Sequence, residues 1–145
     1  MNVIVMGCGR VGEQLALLLD AEGHQVTTID YDSSALARLG SPYKGRKVKG
    51  VGFDRDILVE AGIEQADAFA ATSSSDNANI VAARIARHIF YVPRVVARLY
   101  DPRRAEIYKR LGLLTISSTN LGAERIRDLL SHAELEPITT FAKER

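Results

Sequence analysis

The sequence predicts an α/β fold in which a doubly wound, mostly parallel six-stranded sheet carries helices on both faces. Short apolar segments alternate along the chain with segments whose apolar residues recur at helical spacing, and this alternation is typical of parallel sheets with crossover helices. The apolar segments are continuous and not alternating, as expected of strands that are covered on both faces. With 145 residues, the chain has the size of one domain.

The strands and helices follow one another in regular order. Strands are predicted at 3–6, 26–29, 47–49, 68–71, 95–97 and 114–116, of which 47–49 is the weakest. Helices are predicted at 11–19, 33–39, 55–61, 76–89, 102–111 and 120–130. The first helix is the clearest, because Leu15, Leu18 and Leu19 share one of its faces.

Helix boundaries carry the expected punctuation. Asp54 and Asp101 are predicted N-caps, and Asp101 is followed by Pro102 at the first helical position. Gly23 and Gly112 are predicted to end helices, since glycine accepts the left-handed backbone found there.

Composition excludes several classes of protein. The formal net charge is +1, without a long run of like charge, so a broad nucleic-acid-binding surface is not expected. The single cysteine, Cys8, cannot form an internal disulfide, which fits a reducing compartment. No apolar run approaches the roughly 20 residues that cross a bilayer, and a cleavable signal peptide is not expected. We therefore expect a cytoplasmic protein.

Residues 7–12 read Gly-Cys-Gly-Arg-Val-Gly and match the G-x-G-x-x-G pattern. They follow an apolar strand and open an amphipathic helix, which is the context that the pattern requires. Gly7 permits the tight turn, Gly9 lets a diphosphate approach the backbone, and Gly12 lets the helix pack closely on the strand. The motif predicts a Rossmann-type site with phosphates at the helix N-terminus.

Two side chains add to this prediction. Asp30 follows the second predicted strand, 18 positions after Gly12, where a carboxylate accepts hydrogen bonds from ribose hydroxyls and disfavours the 2′-phosphate of NADP. Arg10 either reaches a diphosphate or the third phosphate of ATP, or is a solvated helix residue. Cys8 is expected to contribute only its backbone.

From residue 2 to about residue 130 the chain resembles the N-terminal nucleotide-binding domain of the TrkA family, also called the RCK or KTN domain. The resemblance rests on the segments GCGRVG, EGHQVTTID, VGFDRDILVEAGIEQADAFAATSSSDNANI and VPRVVARLYDPRRAEIYKRLG. It implies a regulatory subunit of a bacterial Trk- or Ktr-type potassium-uptake system, peripheral at the inner membrane face, and not an enzyme. It also implies NAD/NADH or ATP/ADP as ligand, a membrane-embedded potassium transporter as partner, and assembly as dimers or rings.

The resemblance also implies roles for individual residues. The expected phosphate-binding residues are Gly7, Cys8, Gly9, Arg10, Val11 and Gly12. Asp30 is expected to hold the ribose, and Tyr31 to flank the adenosine. The loop of Gly52 and Phe53 is expected to line the adenine, and Thr72 and Ser73 are expected to border the phosphates and the distal half of the ligand. Arg98 is expected to point either to the same cleft or to a dimer partner.

The chain departs from the family pattern in three places. Residues 50–54 read Gly-Val-Gly-Phe-Asp, where much of the family has Gly-Asp-Gly-Thr-Asp, so base recognition is expected from the backbone and from Phe53, which either stacks on the base or anchors the loop. Ser118 stands where a proline is frequent. The family's smaller C-terminal domain is missing, so residues 1–132 are expected to form the nucleotide-binding domain. Residues 133–145 are then a linker or the start of the missing domain, in either a shortened chain or a standalone domain.

Other functions are weaker alternatives. An NAD-dependent oxidoreductase domain without its catalytic partner domain uses the same motif, but His24, His88 and His132 show no metal-ligand or catalytic spacing. A methyltransferase needs a catalytic motif after the fourth strand, which the segment ATSSSDNAN does not supply. An orphan nucleotide sensor is not separable by sequence from the favoured function.

A homodimer interface is expected on the helices at 76–89 and 102–111. Their apolar residues exceed what one sheet face needs; these are Ile80, Val81, Ile85, Ile107 and Tyr108. The arginines around them are interpreted as part of a solvated, mixed-charge surface.

Overall fold

A computed structural model describes residues 1–132, so the expectation for residues 133–145 lies outside the described residues. The six strands are β1 (Asn2–Met6), β2 (Gln25–Asp30), β3 (Arg46–Lys49), β4 (Ala68–Ala71), β5 (Arg94–Arg98) and β6 (Leu114–Ile116). They form one sheet in the order β3-β2-β1-β4-β5-β6, and each neighbouring pair is parallel. The predicted doubly wound sheet is confirmed.

Six α-helices connect or follow these strands. They are α1 (Arg10–Ala21), α2 (Ser33–Ala37), α3 (Arg55–Glu60), α4 (Asp76–Arg84), α5 (Ala105–Arg110) and α6 (Ser118–Ser131). A π-helical turn, Ile85–Ile89, continues α4, and 3₁₀ turns occupy Ile63–Gln65 and Pro102–Arg104. None of the helices in residues 1–132 is both long and apolar enough to span a bilayer.

The helix boundaries confirm the predicted N-caps and the predicted terminating glycines. The Asp54 carboxylate accepts hydrogen bonds from the first turn of α3, and the Asp101 carboxylate caps the turn that begins at Pro102. Gly23 and Gly112 have φ angles of 92° and 80°. The helix predicted at 120–130 begins earlier, at Ser118, because the Ser117 hydroxyl accepts a hydrogen bond from the Asn120 amide.

The core consists of two apolar clusters, and β1 contributes to both because its side chains alternate between the sheet faces. Val3 and Val5 belong to one cluster, and Ile4 and Met6 to the other. The second cluster also contains two residues assigned by sequence to the predicted interface, Ile80 and Tyr108. Their assignment to a surplus apolar surface is wrong, since each is needed to cover the sheet.

The chain order of the strands places a crevice at the carboxyl ends of β1 and β4. From β1 the chain builds outward through β2 and β3, then returns to the other side and builds outward through β4, β5 and β6. The connections after β1 and β4 therefore run in opposite directions, and ligands of open α/β sheets bind at such a point. Gly7 is located there, directly after β1.

We predict that Gly12→Ala destabilises the free protein by about 2 kcal/mol or more, because overpacking a filled position costs that order of free energy. A Cβ atom at Gly12 would collide with the Gly7 carbonyl oxygen and lie 2.8 Å from the Thr72 hydroxyl. Urea denaturation measures the free energy of unfolding.

Gly9→Ala is the matched control, because a Cβ atom there meets nothing within 4 Å and the Gly9 φ angle of −82° suits alanine. We expect its stability to lie within about 1 kcal/mol of wild type. Equal unfolding midpoints for the two variants would contradict the close packing of α1.

Candidate functional site

The glycine turn at residues 7–9 packs against the connection after β4. Gly7 has a φ angle of 96°, and a Cβ atom on it would lie 2.6 Å from the Ser73 amide nitrogen. Gly9 is the N-cap of α1 and supplies no side-chain cap. The first amides of α1 have no intrahelical acceptor, and a Cβ atom built at Gly9 would meet nothing within 4 Å, so this end of the helix suits an anion.

Asp30 fixes the same turn from the side of β2. Its Oδ2 accepts a hydrogen bond from the Cys8 amide at 2.7 Å, and its Oδ1 accepts one from the Asp32 amide at 2.9 Å. Each carboxylate oxygen keeps a second lone pair, which a ribose hydroxyl can use. The structure thus adds a scaffolding role for Asp30, and the ribose contact stays a prediction.

The amide, the carbonyl and the thiol of Cys8 are all hydrogen-bonded. Its thiol donates to the Ala35 carbonyl at 3.3 Å, and its carbonyl accepts from Arg38 Nη2 at 2.9 Å. Arg38 Nε also donates to Glu13 at 3.2 Å, so this arginine joins α2 to α1 across the turn. Sequence reasoning missed Arg38, and no periodicity or motif distinguishes it from the other exposed arginines.

Thr72 and Ser73 complete the β4 side of the crevice. The buried Thr72 hydroxyl lies 3.1 Å from the Met6 carbonyl oxygen and 3.0 Å from that of Gly7, and donates between them. The Ser73 hydroxyl donates to Asn79 Oδ1 at 2.6 Å. Thr72 and Ser73 therefore lie beside the glycine turn, and their contact with a ligand stays a prediction.

Asn79 is a second residue that sequence reasoning missed. It is fully buried, and its amide nitrogen donates to the carbonyls of Ser73 and Arg98. The sequence feature that could have identified Asn79 is a single amide side chain on the same helix face as three alanines, Ala82, Ala83 and Ala86. These alanines are all buried, and a buried amide needs hydrogen-bond partners.

The remaining predicted residues differ in how far they are buried. Gly52 packs on the Met6 side chain, with which a Cβ atom there would collide. Phe53 and Tyr31 are exposed and Arg10 is exposed at the start of α1, while Val11 is half-buried. Their contacts with a ligand stay predictions.

Arg98 lies one strand farther from the glycine turn. Its Nε donates to the Ser118 hydroxyl at 3.2 Å, and its guanidinium carbon lies 4.4 Å from the centre of the Tyr100 ring. Its backbone carbonyl reaches the β4 side through Asn79. Its guanidinium is thus directed to the start of α6.

A cavity of about 520 Å³ lies at the opposite, amino-terminal edge of the sheet, where it is lined by Asp20, His24, Lys44 and Arg46 among others. It is remote from the glycine turn, so the candidate site is defined by backbone geometry and not by cavity size. Within residues 1–132, no group of three or more His, Cys, Asp or Glu side chains is arranged to hold a metal ion.

Comparison with known proteins assigns the chain to a family. The model of the TrkA-N domain matches residues 3–119. The chain belongs to the TrkA-N domain family. The Trk system potassium uptake protein TrkA of Streptomyces coelicolor is 52% identical over 138 residues, which are 95% of this chain and 62% of the relative. This TrkA-N domain therefore spans less than two thirds of the length of that relative.

Solved structures of similar fold carry adenine nucleotides. The GsuK channel bound to NAD aligns with a TM-score of 0.76 at 26% identity, covering 92% of this chain and 24% of that one. The Kef C-terminal domain of Shewanella denitrificans in its AMP-bound form aligns with a TM-score of 0.69 at 26% identity, covering 89% of this chain and 82% of that one.

The Cys8 thiol of the TrkA-N domain is not a nucleophile at neutral pH. Burial, the largest cause, and the charges of Asp30 and Glu13 together raise its pKa from the ordinary 9.0 to about 11, against the opposing charge of Arg38. The thiol therefore stays protonated in the folded protein. This agrees with the expectation that Cys8 serves the site through its backbone.

We predict that Cys8 makes stability fall as pH rises from about 9 to about 11. Because the pKa is raised to about 11 in the folded chain, the unfolded chain loses its thiol proton first, and the stabilisation present below pH 9 disappears over this range. Urea denaturation of wild type and Cys8→Ala at pH 8 and pH 11 isolates the effect. An equal loss of unfolding free energy in both proteins would contradict the raised pKa.

Proposed function

We propose that this TrkA-N domain binds an adenine nucleotide, either NAD/NADH or ATP/ADP, and regulates potassium uptake through a membrane partner. The observation that carries the proposal is the glycine turn. Its backbone is held by Asp30 on one side and by Thr72 on the other, while the uncapped end of α1 stays open. A turn held in this way needs no rearrangement to receive a diphosphate.

The geometry suggests one orientation for the ligand. Phosphates over Gly9 meet the first amides of α1, whose dipole adds roughly half a positive charge. The ribose then lies toward Asp30, the adenine toward the loop of Gly52 and Phe53, and the distal group toward Ser73. The negative charge of Asp30 disfavours a 2′-phosphate, so we propose NAD in preference to NADP.

A regulatory role is favoured over catalysis by three observations. The Streptomyces relative is named as a potassium uptake protein, and the similar GsuK structure with NAD is a channel. The one thiol at the site is buried and protonated at neutral pH. We place the domain at the inner face of the cell membrane, bound to a potassium transporter. Potassium uptake by vesicles carrying that transporter, measured with and without this chain, tests the partnership.

The first experiment is a thermal-unfolding panel with NAD, NADH, NADPH, ATP, ADP and no ligand, followed by calorimetric titration. A nucleotide at 100 times its dissociation constant stabilises by about 2.7 kcal/mol, which raises the midpoint by roughly 5–15 °C in a domain of this size. Stabilisation by NADH or ATP without turnover is the expected result. No shift with any of the five nucleotides would refute the site.

The same experiment with Arg10→Ala tests whether Arg10 contacts the phosphates of the ligand. If Arg10 pairs with the outermost phosphate, its loss weakens ATP by about tenfold or more and ADP by less, because a charge-assisted hydrogen bond is lost. Arg110→Ala is the control, since Arg110 is also exposed and ends α5, which follows β5 and not β1 or β4. An unchanged ratio of ATP to ADP affinities in Arg10→Ala would remove Arg10 from the site.

We also propose a homodimer that uses the apolar residues left exposed on α4 and α5. Val81 and Ile107 are 45% and 61% exposed, and Val81, Ile85 and Ile89 line a surface groove of about 300 Å³. Val81→Asp places a charge in this surface and is expected to shift the protein from dimer to monomer in light scattering. Leu18→Asp on the exposed face of α1 is the control, and a monomeric wild type at micromolar concentration would overturn the proposal.

A further inference from the structure

Helix α6 is attached to the domain mainly at its start. None of its residues is buried or belongs to an apolar core cluster. Its apolar side chains Leu121, Ile126 and Leu130 are 49%, 59% and 82% exposed, and Leu129 is half-buried. A helix that buries no apolar face against the core is not fixed in angle by packing. Its direction therefore depends on how its first turn is held.

That first turn is held by the end of β5. Arg98 Nε donates to the hydroxyl of Ser118, the first residue of α6, at 3.2 Å. The guanidinium is itself fixed by stacking on the Tyr100 ring, and the Leu99 amide donates to the Ile116 carbonyl just before α6. A change in the position of residues 98–100 thus moves the amino end of α6.

Residues 98–101 are in turn hydrogen-bonded to the first turn of α4. Asn79 Nδ2 donates to the Arg98 carbonyl at 2.9 Å. The Asp76 carboxylate accepts from the amides of Tyr100 and Asp101 at 2.8 and 3.0 Å. The β5 end therefore follows the amino end of α4.

The same turn of α4 holds the loop at the candidate nucleotide site. Asn79 Oδ1 accepts from the amide and the hydroxyl of Ser73 at 2.9 and 2.6 Å, and Asn79 Nδ2 donates to the Ser73 carbonyl at 3.0 Å. With the bond to Arg98, the buried amide group has no free donor or acceptor for a new partner. A buried group in this state cannot turn without leaving a polar atom unpaired.

We propose that Asn79, Asp76, Arg98 and Ser118 transmit the state of the nucleotide site to α6. The proposal rests on the proposed function, because it needs a ligand at the glycine turn. Gly7 lies against Ser73 so closely that no Cβ atom fits between them, so a group bound over the turn meets the Ser73 loop. Ligands with different distal groups displace this loop differently and so favour different positions of α6. Each ligand shifts the equilibrium between two positions of α6 by the difference in its affinity for them.

The test is hydrogen exchange of the α6 amides, followed by mass spectrometry, with saturating ADP, with saturating NAD and without nucleotide. In wild type, we expect one nucleotide to change the exchange rate in the first half of α6 by at least about threefold. Ser118→Ala removes the bond from Arg98 and is expected to reduce that response to less than about 1.5-fold, while calorimetric affinities change less than about twofold. Ser118→Thr keeps the hydroxyl and should retain the response.

Ser131→Ala at the far end of α6 is the control for an unspecific effect on the helix, and it should respond as wild type does. If Ser118→Ala shows the same nucleotide-dependent change in α6 exchange as wild type, the proposed transmission from the nucleotide site to α6 (the relay) is overturned. Nucleotide binding to wild type without any change in α6 exchange would overturn it as well, and would leave the proposed function standing. If neither ADP nor NAD binds to wild type in calorimetry, the relay and the proposed function both fail.

Discussion

The close approach of α1 to the glycine turn is the constraint on which the site depends. Gly12 has no space for a side chain, since the Gly7 carbonyl and the Thr72 hydroxyl occupy it. This contact sets the distance and direction of α1 relative to β1. Because β1 and β4 lie side by side at the point where the connections diverge, the amino end of α1 is aimed into the crevice between them. The same sheet with a larger residue at position 12 would hold the helix farther away and in another direction.

Asp30 illustrates how a side chain serves the scaffold and the site together. Its two oxygens accept the amides of Cys8 and Asp32, so the shape of the glycine turn is set before any ligand arrives. Arg38 holds the other side of the Cys8 peptide, and the thiol is closed off by Ala35. The affinity of a site built from backbone amides depends on this preorganisation, because little ordering entropy is left to lose on binding.

The fold and the position of the glycine turn were predictable, and the failures have a common cause. Strands, helices and the caps at Asp54 and Asp101 follow from patterns within a few residues, which a local segment expresses by itself. The burial of Ile80 and Tyr108 depends on which helix face meets the sheet, and an apolar residue near the boundary of that face is not assigned by periodicity. Tertiary packing took these two residues into the core and left Val81 and Ile107 exposed.

The sequence by itself determined the doubly wound sheet, the glycine turn after β1, the carboxylate at the end of β2 and the membership of the TrkA-N family. Only the tertiary structure decided that Arg38 meets the Cys8 carbonyl, 30 positions away, and that Asn79 meets the Arg98 carbonyl, 19 positions away. Periodicity, caps and turns report interactions over three or four residues. These two hydrogen bonds instead depend on the approach of distant segments, which packing of the whole sheet and its helices fixes.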